Sequence, residues 1–222
     1  MLKQVKVTVI AALAMVAMSA PAMAVTIIDF RNGAAAAGGA ITFDGTNLVG
    51  TDVPIGIVEI FDAPNTSSNG VYAVTGTLAN PAPGSVGDLD FNTTAGNNFI
   101  TIMGCIPGLG VGTFLPDGTC TAPVALLSGS LTSFTTGSQA GLGFVTATGP
   151  DTKHASLLSA IGLAPNTPFE LLGFALLTGP LGTTPTGSIS TDIRNTAVPE
   201  PATMVLLGTG LLAAFRARRR QA

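Results

Sequence analysis

Basic side chains are scarce in the central part of this chain. Residues 25–198 carry three of them, Arg31, Lys153 and Arg194, against eleven Asp and Glu residues, which leaves a formal net charge of −8. Nucleic-acid binding needs Lys and Arg side chains that neutralise phosphates. The scarcity therefore excludes nucleic acid as a partner, and the mild acidity mainly supports solubility.

Aromatic and imidazole side chains are equally few. The chain has no Trp, one Tyr and one His, which is His154. It therefore offers little for a platform on which sugar rings could stack. A catalytic triad needs an imidazole beside a nucleophile and an orienting acid, and no G-x-S-x-G nucleophile elbow occurs. We interpret His154 as a solvated residue on a helix surface.

The first 24 residues have the three parts of a secretory signal peptide. Two lysines form a positive n-region, residues 7–18 form a short apolar h-region, and Ala22 and Ala24 form an A-x-A cleavage site. The pattern predicts export through a Sec-type machinery and cleavage by signal peptidase. The mature chain would begin at Val25.

Cys105 and Cys120 are the two cysteines of the chain. An even number of cysteines in an exported protein favours a disulfide, which would stabilise the fold by about 3 kcal/mol in the chain-entropy model. A metal pair is the alternative, but the lone His154 is distant in sequence and the chain has no other soft ligand. We predict a disulfide, and neither a metal nor a cofactor.

The composition of the central region favours strands and turns, because it is rich in Gly, Thr, Ser, Asn, Val and Ile. Residues 34–40 form a small-residue connector, and residues 151–163 predict one short helix. The pattern predicts an all-β domain, an antiparallel β-sandwich or a jelly-roll-like fold, with that helix. Apolar runs bounded by turn signals predict strands at residues 25–30, 55–62, 71–78, 88–92, 99–103, 124–132, 142–148, 170–177 and 188–193.

A calcium loop is the first candidate site in this region. Asp88-Leu-Asp-Phe-Asn begins like the D-x-D-x-N calcium motif. The sixth position is Thr93 where the motif needs Gly, and the twelfth is Phe99 where it needs Glu. A half-buried strand already explains the alternation. The sequence leaves open a calcium site assembled from distant loops that include Asp44 and Asp52.

The end of the chain contains a short turn-forming strip and an uncharged segment. Two prolines fix the backbone around Glu200, so Pro199-Glu200-Pro201 should be exposed and non-helical. Residues 202–215 carry no charge and predict a single C-terminal transmembrane helix. As a helix they would reach about 21 Å, against a hydrocarbon core of about 30 Å. Bilayer thinning would cover the difference.

A basic cluster closes the tail. It consists of Arg216, Arg218, Arg219 and Arg220. By the positive-inside rule these side chains hold the last residues in the cytoplasm. They can also snorkel toward the interface and so lengthen the span.

The tail resembles the PEP-CTERM sorting domain of Gram-negative bacteria. The resemblance covers about 25 of the 222 residues and includes the three parts in their order. It implies processing by an exosortase, a membrane-embedded cysteine transpeptidase, in bacteria that secrete exopolysaccharide and form biofilms. Pro199, Glu200 and Pro201 carry over as recognition elements, and none of them is catalytic in this chain.

The sequence predicts four parts: a signal peptide at residues 1–24, a β-rich exported domain at 25–194, a linker at 195–198 and a sorting signal at 199–222. The precursor would be anchored in the inner membrane, and the mature protein would reach the cell surface or the extracellular space. We expect a non-enzymatic structural or adhesive protein, with exopolysaccharide as a possible partner. The alternatives are a calcium-dependent carbohydrate-binding module and an exported hydrolase that uses paired carboxylates.

Overall fold

Antiparallel strands make up most of the part of the chain that the structure describes. The structure is a computed structural model that describes residues 26–33, 38–76, 78 and 86–198. The predicted signal peptide, with Ala22 and Ala24, lies outside the described residues, and so does the predicted sorting signal from Pro199 onward.

Fourteen strands and one α-helix occur in the described residues, and every strand pairing is antiparallel. The elements are β1 Ile27–Arg31, β2 Gly38–Phe43, β3 Leu48–Ile55, β4 Ile57–Phe61, β5 Gly70–Ala73, β6 Gly87–Asn92, β7 Phe99–Gly104, β8 Thr113–Phe114, β9 Cys120–Ala122, β10 Val124–Gly129, β11 Ser133–Gln139, β12 Leu142–Lys153, α1 Ala155–Ala160, β13 Phe169–Thr178 and β14 Thr186–Ala197. The predicted all-β class with one short helix is confirmed.

Eight of these strands close into a barrel. The order around the ring is β12-β10-β7-β6-β3-β2-β14-β13, and β13 pairs with β12 again. Strand β11 extends the sheet beside the first half of β12, and β1, β4 and β5 extend it beside the second half of β14. A separate hairpin is formed by β8 and β9.

The closure into a barrel corrects the prediction of an antiparallel β-sandwich or jelly-roll-like fold. The ring closes at two corners where the pairings are short: two residue pairs join β14 to β2, and three join β10 to β12. Between the corners, side chains from facing strands meet in the interior. Phe91 of β6 packs edge-on against Phe174 of β13, with 5.2 Å between the ring centroids. Local alternation cannot reveal such corner pairings, because they join strands that are distant in sequence.

Strand β12 shows how the sequence produces this wall. Every second residue is buried from Gly143 to Lys153, and every residue between is exposed. A strand places successive side chains on opposite faces, so one face lines the interior and the other meets solvent. The prediction ended this strand at residue 148, whereas the alternation continues for five more residues.

The helix is shorter than predicted, because β12 occupies its expected first turn. The predicted segment 151–163 contains the end of β12 and then α1. The imidazole of His154 is the N-cap and accepts a hydrogen bond from the Ser156 N–H, with 3.3 Å between the nitrogens. His154 is therefore half-buried at a helix start and is not a solvated residue on the helix surface. Leu157 and Leu158 are buried and anchor the helix to the core.

No helix among the described ranges is long and apolar enough to cross a membrane. The predicted span at residues 202–215 lies outside those ranges, as do Arg216, Arg218, Arg219 and Arg220.

Candidate functional site

The end of β14 brings the two ends of the described chain together. Thr196 pairs with Ile27, and the N–H of Ala197 donates to the Thr26 carbonyl at 3.0 Å. On the other side, the N–H of Val198 donates to the Pro168 carbonyl at 2.9 Å. The domain thus begins and ends at one rim of the barrel.

Most of the predicted linker at residues 195–198 is part of the sheet. Asn195 is fully buried, and its side-chain N–H donates to the carbonyls of Ile28 and Ile193. Residues 195–197 belong to β14. Strand β14 thus extends into the segment that the sequence predicts as a linker. Strand β14 therefore ends one residue before Val198, which directly precedes Pro199 in the sequence.

A shallow groove lies beside this exit point. We call it the exit groove; its volume is about 370 Å³. Its lining includes Thr132, Pro150, Pro168, Phe169, Glu170 and Val198. Phe169 is buried, whereas the other five are exposed. Glu170 is the one charged residue of the lining, so the groove is mainly apolar with a single carboxylate at its edge.

Behind Phe169 lies a buried ion pair that the sequence reading missed. Lys153 Nζ pairs with Asp151 Oδ1, and neither side chain is exposed to solvent. Lys153 Nζ also lies 4.8 Å from the centroid of the Phe169 ring, within range of a cation–π contact. The alternation of β12 could have revealed this burial, because Asp151 and Lys153 lie on the same face of the strand as the buried Val145 and Ala147.

Burial shifts both groups of this pair toward neutrality. Burial raises the pKa of the Asp151 carboxyl, and the neighbouring Lys153 opposes that shift. Burial lowers the pKa of Lys153 to about 8, against the opposing effect of Asp151. Asp151 Oδ2 has no hydrogen-bond partner. Because the pair has no contact with solvent, we assign it to the packing of the barrel end rather than to chemistry on a substrate.

A second charged group lies on the outward face of β1, β4 and β14. The guanidinium of Arg31 pairs with Glu59, and its Nε lies 3.3 Å from Asp29 Oδ2. Burial, with the neighbouring Asp192 carboxyl next in importance, raises the pKa of Asp29 to about 6. The carboxyl groups of Asp29 and Asp192 are therefore neighbours. They lie on a sheet face, and neither lines the exit groove.

Asp52, Asp88 and Asp90 of the calcium candidates are neighbours, and the Asp52 N–H donates to Asp90 Oδ1 at 3.0 Å. Asp88 lies in β6 as a half-buried strand residue, and burial with the nearby Asp90 and Asp52 raises its pKa to about 6. Asp44 accepts hydrogen bonds from the backbone N–H groups of Asn47 and Thr46 in the β2–β3 turn, which lowers its pKa. Within the described ranges, no group of three or more His, Cys, Asp or Glu side chains could hold a metal ion.

The predicted disulfide is confirmed. Cys105 and Cys120 are bonded, with 5.7 Å between their Cα atoms. The bridge joins the residue after β7 to the start of β9, and Cys105 is fully buried. A Cβ at Gly112 would lie 2.6 Å from Cys105 Sγ, so the loop needs glycine there, which also has φ of +84°. The disulfide therefore fixes a loop that has no regular sheet of its own beyond β8 and β9.

Comparison with known proteins gives one match. A family model described as the PEP-CTERM protein-sorting motif matches residues 197–220. No curated protein and no solved structure matches the chain. The match begins at Ala197, the last residue of β14, and so runs directly on from the barrel rim.

Proposed function

Because the chain carries a PEP-CTERM protein-sorting motif at residues 197–220, we propose that it is an exosortase substrate that acts as a non-enzymatic structural or adhesive protein outside the cell. The motif is the observation that carries the proposal, because it implies the exosortase as a processing partner. The barrel would be the exported domain, and residues 199–222 would be its sorting signal and temporary membrane anchor.

The disulfide supports this destination. Such bonds form and persist in oxidising compartments and are rare in the cytosol. The distribution of charge also fits a surface protein that does not bind nucleic acid, because two of the three basic side chains of residues 25–198 are used in ion pairs within the fold. A role in an exopolysaccharide matrix comes from the resemblance of the tail.

The first experiment is intact-mass measurement and fractionation of the protein from its host, with and without the exosortase. The proposal predicts a mature form that starts at Val25, ends near Pro199 to Pro201 and is found at the surface or in the medium. In the strain without exosortase, the full-length tail should stay in the inner membrane. Identical C-termini in the two strains would contradict the proposal.

The adhesive role needs its own measurement. A strain that lacks this protein should form a biofilm with less retained matrix, and the Glu200→Ala variant should fail to restore it because the tail is not processed. A control variant, Asp117→Asn, changes an exposed turn residue far in sequence from the motif and should restore the matrix fully. Full restoration by the Glu200→Ala variant would show that processing is not needed for this role.

A further inference from the structure

The sorting motif follows the barrel without a spacer. The Val198 N–H makes the last described main-chain hydrogen bond, and the side chain of Val198 lines the exit groove and is 38 % exposed. An extended chain covers at most about 3.6 Å per residue, so Pro199 to Pro201 reach about 10 Å from the rim. An enzyme that holds these three residues must therefore come into contact with the rim of the barrel.

We propose that the exit groove is a docking surface for the exosortase, an inference that rests on the function proposed above. The enzyme would read the motif and would also pack against the exposed residues around it. Pro150 and Pro168 give this surface rigid apolar walls, because proline has a fixed φ. Rigid surfaces lose little conformational entropy on binding.

The chemistry of the groove indicates what it should meet. Its lining is apolar except for hydroxyl and carboxylate groups, and Glu170 is its one charge. Anionic lipid head groups would repel that carboxylate and attract no cation in return. An apolar ridge with a Lys or Arg opposite Glu170 would fit it. We therefore assign the surface to the protein partner and not to the lipid.

The position of the N-terminus supports this orientation. Thr26 is hydrogen-bonded to Ala197 at the same rim. The predicted signal peptide before Val25 and the predicted membrane segment at residues 202–215 would thus leave the domain from one end. While the precursor is anchored, that end faces the membrane in which the exosortase lies, and the β13–β14 loop at the other end of those strands faces away.

The test is the rate of processing of the full-length precursor in the native host. Thr132→Lys places a charge in the groove, and Glu170→Lys reverses the one charge that is there. Thr184→Lys is the matched control, because Thr184 is exposed in the β13–β14 loop at the far end of β13. Each variant is also made with a twelve-residue Gly-Ser spacer inserted after Val198, which adds about 20 Å of reach.

We expect both groove variants to slow processing about fivefold, while the Thr184→Lys precursor keeps the wild-type rate. With the spacer, the processing rates of the groove variants should lie within twofold of the rate of the spacer-containing wild type, because the enzyme no longer has to contact the rim. Thermal unfolding that matches the wild type shows that the variants are folded. Similar slowing by Thr132→Lys and Glu170→Lys would show that the effect belongs to the groove and not to one particular side chain.

Three results would overturn the inference. Wild-type rates for both groove variants would show that the rim is not contacted. Equal slowing with and without the spacer would show an effect unrelated to proximity. Faster processing would show that the groove holds the motif itself in the precursor. In each case the wild-type precursor still depends on the exosortase; loss of that dependence would instead refute the proposed function.

Discussion

The buried pair of Asp151 and Lys153 allows a quantitative prediction about stability. In the Lys153→Met variant the chain keeps its length and apolar contacts but loses the cation, so the Asp151 carboxylate stays buried without a partner. Neither side chain of the pair is exposed, and Asp151 Oδ2 already lacks a hydrogen bond. Breaking a buried pair from one side costs about 3–5 kcal/mol. The total free energy of unfolding of a folded domain is about 5–15 kcal/mol.

The double variant Asp151→Asn, Lys153→Met separates the charge effect from the packing effect. It removes both charges and keeps similar volumes, so most of the lost stability should return. We expect a coupling free energy of about 2–3 kcal/mol between the two positions, because residues in contact couple by up to this amount. The measurement is urea-induced unfolding of the wild type, Lys153→Met, Asp151→Asn and the double variant, followed by circular dichroism with the disulfide intact in all four.

The pH dependence of the Lys153→Met variant gives an independent check. Burial raises the pKa of Asp151 in the folded protein, and removal of Lys153 takes away the opposing effect. A carboxyl group with a raised folded pKa destabilises the fold as the pH rises above its unfolded value, near 3.8. The deficit should therefore be small near pH 4 and grow toward neutral pH. A single-variant loss below about 1 kcal/mol at pH 7, with additive effects in the double variant, would refute the reasoning.

Three further predictions concern other parts of the barrel. Reduction of the disulfide by dithiothreitol should lower the free energy of unfolding by about 3 kcal/mol, and an unchanged urea midpoint would contradict this. The Asp88→Asn variant should be more stable than the wild type above pH 6 and equal to it near pH 4. The pKa of Asp88 is raised to about 6, so the folded wild type carries a buried charge at this position only at higher pH. A stability difference that does not vary with pH would contradict this prediction. Gly50→Ala should lower the free energy of urea-induced unfolding by about 1–3 kcal/mol, because its Cβ would overlap the Phe91 ring. Gly173→Ala, whose Cβ would meet nothing within 4 Å, should be nearly neutral in the same assay.

Local pattern predicted the strands that have one buried and one exposed face. The alternation of β6 and the apolar run of β7 were found because their side chains report burial directly. Strands β8 and β9 and all of β3 except Ile55 were missed, and so were β2 and β11. The glycines of β2 and β11 carry little strand propensity. The order of β2 and β11 comes from pairing with β3 and β12. Closure of the ring depends on the same kind of distant pairing.

The disulfide and the sorting motif could be predicted from the sequence, whereas the exit groove could not. The disulfide needed only two cysteines in a chain predicted to be exported, and the sorting motif needed only the order of its three parts. The exit groove combines residues from four separate stretches of chain, from Thr132 to Val198. Their meeting depends on the fold. The burial of Lys153 was signalled by the alternation of β12, but residues 151–153 were predicted as the start of a helix.

The adjacency of Thr26 and Ala197 also determines how the domain responds to force. Strands β1 and β14 are antiparallel neighbours whose outer ends lie together, so tension between the two termini would open their hydrogen bonds one after another. Such unzipping requires little force, because each bond is loaded alone. Tension between the C-terminus and the far β13–β14 loop would instead run along the strands and load many bonds at once. A barrel held to the cell by its C-terminus and to its surroundings by that far end would be mechanically resistant, whereas one pulled from both termini would yield.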